Sequence, residues 1–271
     1  MKTMNKIVIK VGTSSLIQGN ALPSNRYLSE LAQQIVQLQN QGLQPILVSS
    51  GAVATGRAIL KLSTDSRSSP LKQTLASIGQ VKIMQVWSEL FASFGFQVGQ
   101  LLLTKENFSA HNDQLLRETL DCLLQHRIIP IINENDTAAT HETGVGDNDN
   151  LAALVAKSIG ADTLILLTDQ EGLYTADPRH NPEAKLISHI PQINAKIYTF
   201  AADSTGSIGT GGMATKIKAA KIASRSKTQT IIASSRYPNV LLALLAGKPI
   251  GTLISEESNT HMNVKNQRGI N

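Results

Sequence analysis

The sequence predicts an α/β protein, a three-layer sandwich with a mainly parallel central sheet. Three observations predict it. Short β-branched runs alternate with longer stretches of helical periodicity. The run Thr163-Leu164-Ile165-Leu166-Leu167 lacks the alternation of a half-solvated strand, as expected where both faces are covered. Four polar loops also fall at or just past strand C-terminal ends, the rim where open α/β sheets bind ligands. With 271 residues, 41% of them apolar, the chain can bury one substantial core, although two small domains also fit that length.

Ile7-Val8-Ile9-Lys10-Val11 reads as the first strand. Ser24 or Asn25 can cap a helix with the stripe Leu28, Leu31, Ile35 and Leu38, stopped by Gly42. Pro45-Ile46-Leu47-Val48-Ser49 is the second strand and ends in Ser50-Gly51-Ala52. Helical stretches over 52–60 and 71–93 flank a Ser-rich loop at 63–70. A strand over 97–103 and a helix over 112–126 precede the apolar strand Ile128-Ile129-Pro130-Ile131-Ile132. Its proline argues for an edge strand or an early position within the strand. After a long loop at 133–147, a helix begins near Asn148. The apolar run from Thr163 ends at Thr168-Asp169, and turn signals follow at Gly172, Asp177-Pro178 and Asn181-Pro182. A Gly-rich loop at 206–212 opens a helix carrying Met213, Ile217, Ala220 and Ala223. A strand over 230–234, a helix over 238–246 and a strand over 250–254 close the domain, which spans 1–255. Residues 256–271 read as a polar tail.

Composition narrows the function. The formal charge is +5, but the 25 Lys and Arg residues are scattered with no run of five. That argues against a nucleic-acid surface and suits a cleft for small anions. Cys122 is the only cysteine, so no intrachain disulfide forms; its place among Leu115, Leu116, Leu120, Leu123 and Leu124 predicts a buried packing role. None of the six histidines has zinc-type spacing to another histidine or to Cys122, and His111, His126 and His141 read as surface or loop residues. Ser49 and Ser50 stand outside any Gly-x-Ser-x-Gly elbow. The first residues lead straight into a strand without the apolar core of a signal peptide. No apolar run has membrane-spanning length, so the expectation is a cytoplasmic protein without membrane contact.

The strand ends carry the chemistry. A lysine inside an otherwise apolar strand, Lys10, is costly to bury unless it meets an anion. Gly12 and Gly51 remove side chains where backbone N–H groups can approach an oxyanion, although either alone is better read as an ordinary turn. Gly209-Thr210-Gly211-Gly212-Met213-Ala214-Thr215-Lys216 combines a backbone nest with a helix N-terminus, and Lys216 falls in the first turn, within reach of a phosphate. No glycine directly precedes that lysine, so this is not a Walker A loop. The pairing of the loop with a separate strand lysine points to phosphoryl transfer. The densest polar cluster is Gly144-Val145-Gly146-Asp147-Asn148-Asp149-Asn150. Capping accounts for at least one of these residues. A calcium loop does not fit, because Leu151-Ala152-Ala153-Leu154-Val155 supplies no later glutamate.

At these positions the sequence resembles the amino-acid kinase family. The residues that carry the likeness are Ile9-Lys10-Val11-Gly12-Thr13-Ser14, Val48-Ser49-Ser50-Gly51-Ala52, Ile132-Asn133-Glu134-Asn135-Asp136, Val145-Gly146-Asp147-Asn148-Asp149-Asn150, Leu167-Thr168-Asp169-Gln170-Glu171-Gly172-Leu173-Tyr174 and the loop ending at Lys216. The likeness runs from about residue 5 to residue 254. The Asn-Glu-Asn-Asp and Gly-Asp-Asn-Asp-Asn segments together resemble the members that phosphorylate the γ-carboxylate of free L-glutamate, opening proline biosynthesis.

The resemblance implies that Lys10 and Lys216 bracket the transferring phosphoryl group, with Asp149 orienting both lysines. It implies glutamate at Ser50, Asp136 and Asn148, with Asn133, Asp147 and the Gly51 backbone nearby. It implies ATP at Lys10, Thr168, Asp169, Thr210, Gly211, Gly212, Met213, Ala214, Thr215 and Lys216, with Mg²⁺ on the phosphates and water and no protein-held metal site. It also brings proline as a feedback inhibitor, a homo-oligomer, and hand-off of the product to glutamyl phosphate reductase. Departures from the family pattern bear on inhibition and assembly: the stretch 108–119 is altered, with Leu115 where Asn is usual, and Ala233-Ser234-Ser235 replaces a Gly-containing turn. Many relatives carry a PUA-type domain after the kinase domain; with the chain ending at Asn271 none is expected here, and no nucleic acid with it. Two rival readings are another small-molecule kinase of this fold and a silent ligand-binding regulator. The second predicts loss of Lys10, Lys216 or Asp149, and all three are present.

Overall fold

In the computed structural model, described over residues 5–17, 25–62, 69–140, 142–203 and 212–255, eight strands form one sheet. They are β1 (Lys6–Val11), β2 (Gln44–Ser49), β3 (Val98–Leu103), β4 (Ile129–Glu134), β5 (Thr163–Thr168), β6 (His189–Ile190), β7 (Gln229–Ser234) and β8 (Thr252–Ile254). The order is β3-β4-β2-β1-β5-β7-β8-β6. The six strands from β3 to β7 pair in parallel, so their C-terminal ends share one rim. β8 runs antiparallel to β7, and β6 pairs in parallel with β8.

The helices are α1 (Thr13–Leu16), α2 (Asn25–Asn40), α3 (Ala52–Ile59), α4 (Ser69–Ser93), α5 (Asn112–Gln125), α6 (Asn148–Ile159), α7 (Ala195–Asp203), α8 (Met213–Ser224) and α9 (Val240–Leu245). Strand alternation sorts them into two layers. Ile7, Ile9, Val11, Leu47, Ile165 and Leu167 face one way and pack on α2, α4 and α9 through Leu28, Leu31, Trp87, Phe91 and Leu241. Val8, Ile46, Val48, Leu164, Leu166 and Ile232 face the other way, onto α5, α6 and α8. Full burial of each such Leu or Ile contributes about 1.5–3 kcal/mol. Small residues at the α6–α8 contact (Ala152, Ala153, Ala156, Ala219, Ala220 and Ala223, all buried) let these two helices lie close together.

The α3–α4 contact is closer still. A Cβ on Gly79 would sit 1.8 Å from the Ala52 carbonyl oxygen, and one on Gly56 would sit 2.0 Å from that of Leu75. Only hydrogen at both positions allows the two backbones to meet. This contact sets α4 against the end of β2.

Several sequence expectations are corrected. Cys122 is exposed, not buried: Leu116, Leu120 and Leu124 form the buried stripe of α5, and a residue two past Leu120 points to the opposite side. Leu115, placed in the same apolar stripe, is 66% exposed. Of the two places open to Pro130, the edge is excluded and the early position holds: β4 lies between β3 and β2, and Pro130 is its second residue, one before the Leu47–Ile131 pairing with β2 begins. The last strand begins at Thr252 because Gly251, at φ +80°, still belongs to a turn. β6 and α7 occupy the stretch between Pro182 and the loop at 206–212, to which the sequence reading assigns no element. A two-residue strand carries no periodicity, whereas α7 does have a signal: Asn194 caps it, accepting from Ile197 N at 3.2 Å. The loop at 63–68, Ser24, His141 and the tail from 256 lie outside the described residues.

Candidate active site

Strand parity decides where Lys10 goes. It shares a face with Val8, so its side chain emerges toward α6 and α8 just before β1 ends. There its ammonium meets Asp149 Oδ1 at 2.7 Å. The other carboxylate oxygen, Oδ2, receives Lys216 Nζ from the first turn of α8 at 3.1 Å. Thr215 Oγ1 lies 2.8 Å from the same oxygen. One fully buried carboxylate thus holds two ammonium groups that are 206 positions apart in the chain (216 minus 10).

The electrostatics follow from that arrangement. Burial opposes ionisation of Asp149, but the two lysines outweigh it and hold the carboxyl at about 2. Burial pulls the Lys216 ammonium below its usual range, with Lys10 adding to the effect and Asp149 opposing it. Two ammonium groups facing one carboxylate leave a formal positive charge within the cluster, which suits a further anion. Gly12 lies beside the cluster: a Cβ there would stand 3.5 Å from Lys10 Nζ, in ordinary contact with it.

A set of neutral side chains lies beside the charges. Asn133, on β4, faces α4 and donates to Gln80 Oε1 at 2.8 Å. Asn148, at the start of α6, donates to Asn133 Oδ1 and to Ser50 Oγ, both at 2.8 Å. Gly51 follows Ser50 in the left-handed region at φ +95°, where an L side chain is strained, and it opens α3. Asp147 is the N-cap of α6: one oxygen accepts from Asn150 N at 2.8 Å and the other from Asn150 Nδ2 at 2.6 Å. Burial raises the Asp147 carboxyl above its ordinary range, with the nearby Asp149 charge adding to the effect. Asp136 pairs with the half-exposed Lys72 at 3.1 Å.

At the end of β5, Thr168 donates to Asp169 Oδ1 at 3.1 Å, and its carbonyl accepts from Ser235 N at 2.7 Å. Gly212 caps α8, followed by the buried Met213, then Ala214 and Thr215. Thr210 and Gly211 lie outside the described residues. The structure thus places Lys10, Ser50, Gly51, Asn133, Asp147, Asn148, Asp149, Thr168, Asp169 and Lys216 along one rim, and Asp136, two residues past the end of β4, pairs there with Lys72 of α4. Two residues were missed. Gln80 reaches Asn133 from α4, and Glu134 Oε1 accepts from Val145 N and Gly146 N, tying the long loop to β4. The Asn-Glu-Asn-Asp run was the available signal for Glu134, but nothing local marks Gln80.

Comparison with known proteins decides the lineage. Residues 5–234 match the amino acid kinase family. This chain belongs to the amino-acid kinase family. Within it, the chain is 45% identical over 254 residues to glutamate 5-kinase of Proteus mirabilis, covering 93% of this chain and 69% of that one. It is 48% identical over 252 residues to glutamate 5-kinase of Haemophilus influenzae, covering 92% and 68%. Among solved structures, a carbamate kinase from Giardia lamblia bound to AMP-PNP superposes with a TM-score of 0.68 at 16% identity, over 95% of this chain and all of that one. A UMP kinase from Bacillus anthracis gives 0.62 at 16% identity, over 93% and 96%. These two structures establish that the amino-acid kinase fold is shared.

Proposed function

We propose that this chain is an ATP-dependent glutamate 5-kinase, making L-glutamyl 5-phosphate for proline biosynthesis. The observation that carries the reading is the Lys10–Asp149–Lys216 cluster on the sheet rim, next to the Ser50–Asn148–Asn133 relay. The first suits a transferring phosphoryl group and the second an amino acid.

The acceptor needs no general base, because a glutamate γ-carboxylate with a reference pKa of about 4.3 is ionised at neutral pH. One of its oxygens attacks the γ-phosphorus of ATP. A new carboxyl O–P bond forms, the bond to the β,γ-bridging oxygen breaks, and ADP leaves with that electron pair. The obstacle is repulsion between two anions, so catalysis is positioning and charge stabilisation. Asp149 keeps both ammonium groups fixed, and Lys10 and Lys216 stabilise the phosphoryl oxygens. Asn148 and Ser50 hold the amino-acid end of glutamate, and Asp136 offers a carboxylate to its α-ammonium once Lys72 swings aside. Thr168, Asp169 and the segment from 210 to 216 receive the nucleotide.

Among the described residues no three His, Cys, Asp or Glu side chains gather into an ion cage, and Asp149 is engaged by two lysines. Mg²⁺, if carried in on the nucleotide, would be held by phosphate oxygens and water and would neutralise nucleotide charge. No helix among the described residues is long and apolar enough to cross a membrane.

Incubation with ATP, Mg²⁺ and hydroxylamine tests the proposal. Glutamate should give a trapped hydroxamate faster than aspartate or N-acetylglutamate does; another acceptor outrunning glutamate would overturn the substrate. Adding proline to that assay reads feedback inhibition, sedimentation reads the homo-oligomer, and coupling to glutamyl phosphate reductase reads hand-off of the labile acyl phosphate.

A further inference from the structure

The amides beside the charged cluster have a direction, and one unambiguous donor sets it. The backbone N–H of Glu134 can only donate, and it reaches Asn133 Oδ1 at 2.9 Å. The Asn133 oxygen therefore faces Glu134 N and Asn148, and its Nδ2 faces α4, where only an acceptor can satisfy it. Gln80 Oε1 is that acceptor, at 2.8 Å, and the Asn133 side of the contact is buried. Gly79, the neighbour of Gln80, is where α4 touches α3, so Gln80 is carried on a tightly docked backbone.

Downstream, Asn148 Nδ2 gives one hydrogen to Asn133 Oδ1 and the other to Ser50 Oγ, each at 2.8 Å. Both hydrogens are used. Asn148 Oδ1 remains, a buried acceptor with no hydrogen-bond partner. Ser50, having accepted, keeps its own hydroxyl hydrogen to donate. The relay thus presents one acceptor and one donor, matching an α-ammonium and an α-carboxylate. Reversal of the Asn148 amide would use up the acceptor and present N–H groups instead, which suits a carboxylate and repels an ammonium.

We propose that Gln80 is a positioning residue which, through Asn133, fixes the direction of the relay and so selects a substrate bearing a free α-ammonium. This rests on the reading of the chain as a glutamate kinase. Gln80 acts through Asn133, by leaving it a single satisfied orientation. An isosteric apolar side chain at position 80 strands the Asn133 Nδ2 and loosens Asn148 behind it.

The test compares Gln80→Met with Gln80→Glu, which keeps an acceptor for Asn133. The readouts are KM for glutamate, kcat, KM for ATP, melting temperature and the inhibition constant of glutarate, the same dicarboxylate without its amino group. Gln80→Met should raise the glutamate KM roughly tenfold while kcat, the ATP KM and the glutarate constant stay within about twofold. Gln80→Glu should recover most of the lost preference for glutamate over glutarate. An unchanged preference in Gln80→Met, or equal losses for glutamate, glutarate and ATP with a lowered melting temperature, overturns the proposal. So does a Gln80→Glu variant as poor as Gln80→Met. A wild-type chain that forms no glutamyl hydroxamate overturns the functional reading itself and the role of the relay with it.

Discussion

Asp149 is buried with two positive charges, and each partner explains part of its behaviour. Its carboxyl titrates at about 2 instead of the ordinary 3.8, so folding favours the ionised form. The stabilisation is therefore complete above about pH 4 and is lost as pH falls toward 2, an effect of about 2 kcal/mol. Guanidinium unfolding at successive pH values should show this loss in the wild type and a shallower one in Asp149→Asn. Lys216→Ala removes one of the two ammonium groups held by Asp149 and, under the proposed function, should lower turnover by roughly 10²-fold, read as kcat at saturating ATP and glutamate. Near-normal turnover would remove Lys216 from the chemistry. At this scale the sequence was informative wherever a residue broke its local pattern. Lys10 interrupts an apolar strand, and Lys216 follows a Gly-rich loop. Gln80 breaks no pattern, because one polar residue on a long helix is unremarkable until its partner, 53 positions away, is known.

Elements bring those residues together through backbone geometry more than through side-chain chemistry. Gly56 and Gly79 let α3 and α4 touch, and α3 opens at Gly51, directly after Ser50. Gly79→Ala would force a methyl against the Ala52 carbonyl, so the helices must separate. Overpacking of this kind costs about 1–3 kcal/mol. A lower urea midpoint with an unchanged slope checks it, and the glutamate KM should rise more than the ATP KM because Gln80 moves with α4. Neither glycine stood out in the sequence, since each sits in an ordinary helical pattern and the close approach involves residues on another helix. The long strands and helices were legible because their periodicity repeats several times. Two-residue β6 repeats nothing, and α7 is a short helix of nine residues whose periodicity repeats little more than twice. Cys122 shows the converse error: its place among leucines was read as burial, although a helix buries only one stripe.

At the scale of the molecule, the proposed function divides two duties along the single rim formed by the parallel strands. Ser50 and Asn133 follow or end strands on the β2–β4 side, while Thr168 ends β5 on the other side of β1. The Asp149 cluster sits between them, at the end of β1. This order could be anticipated because strand C-termini and polar loops coincide in the sequence, whereas the pairing order of the strands could not be read from any local run. The arrangement predicts that the two ligands can be separated by mutation. A ligand present at 100 times its Kd stabilises the fold by about 2.7 kcal/mol. At roughly 2–4 °C per kcal/mol for a domain near this size, each ligand should raise the melting temperature by about 5–10 °C. Ser50→Ala removes the hydroxyl that accepts from Asn148 and should abolish most of the glutamate-induced rise while leaving most of the rise caused by ADP with Mg²⁺. The opposite pattern would move Ser50 to the nucleotide side. Equal loss of both rises would mean that the rim works as one cooperative unit with no division at β1.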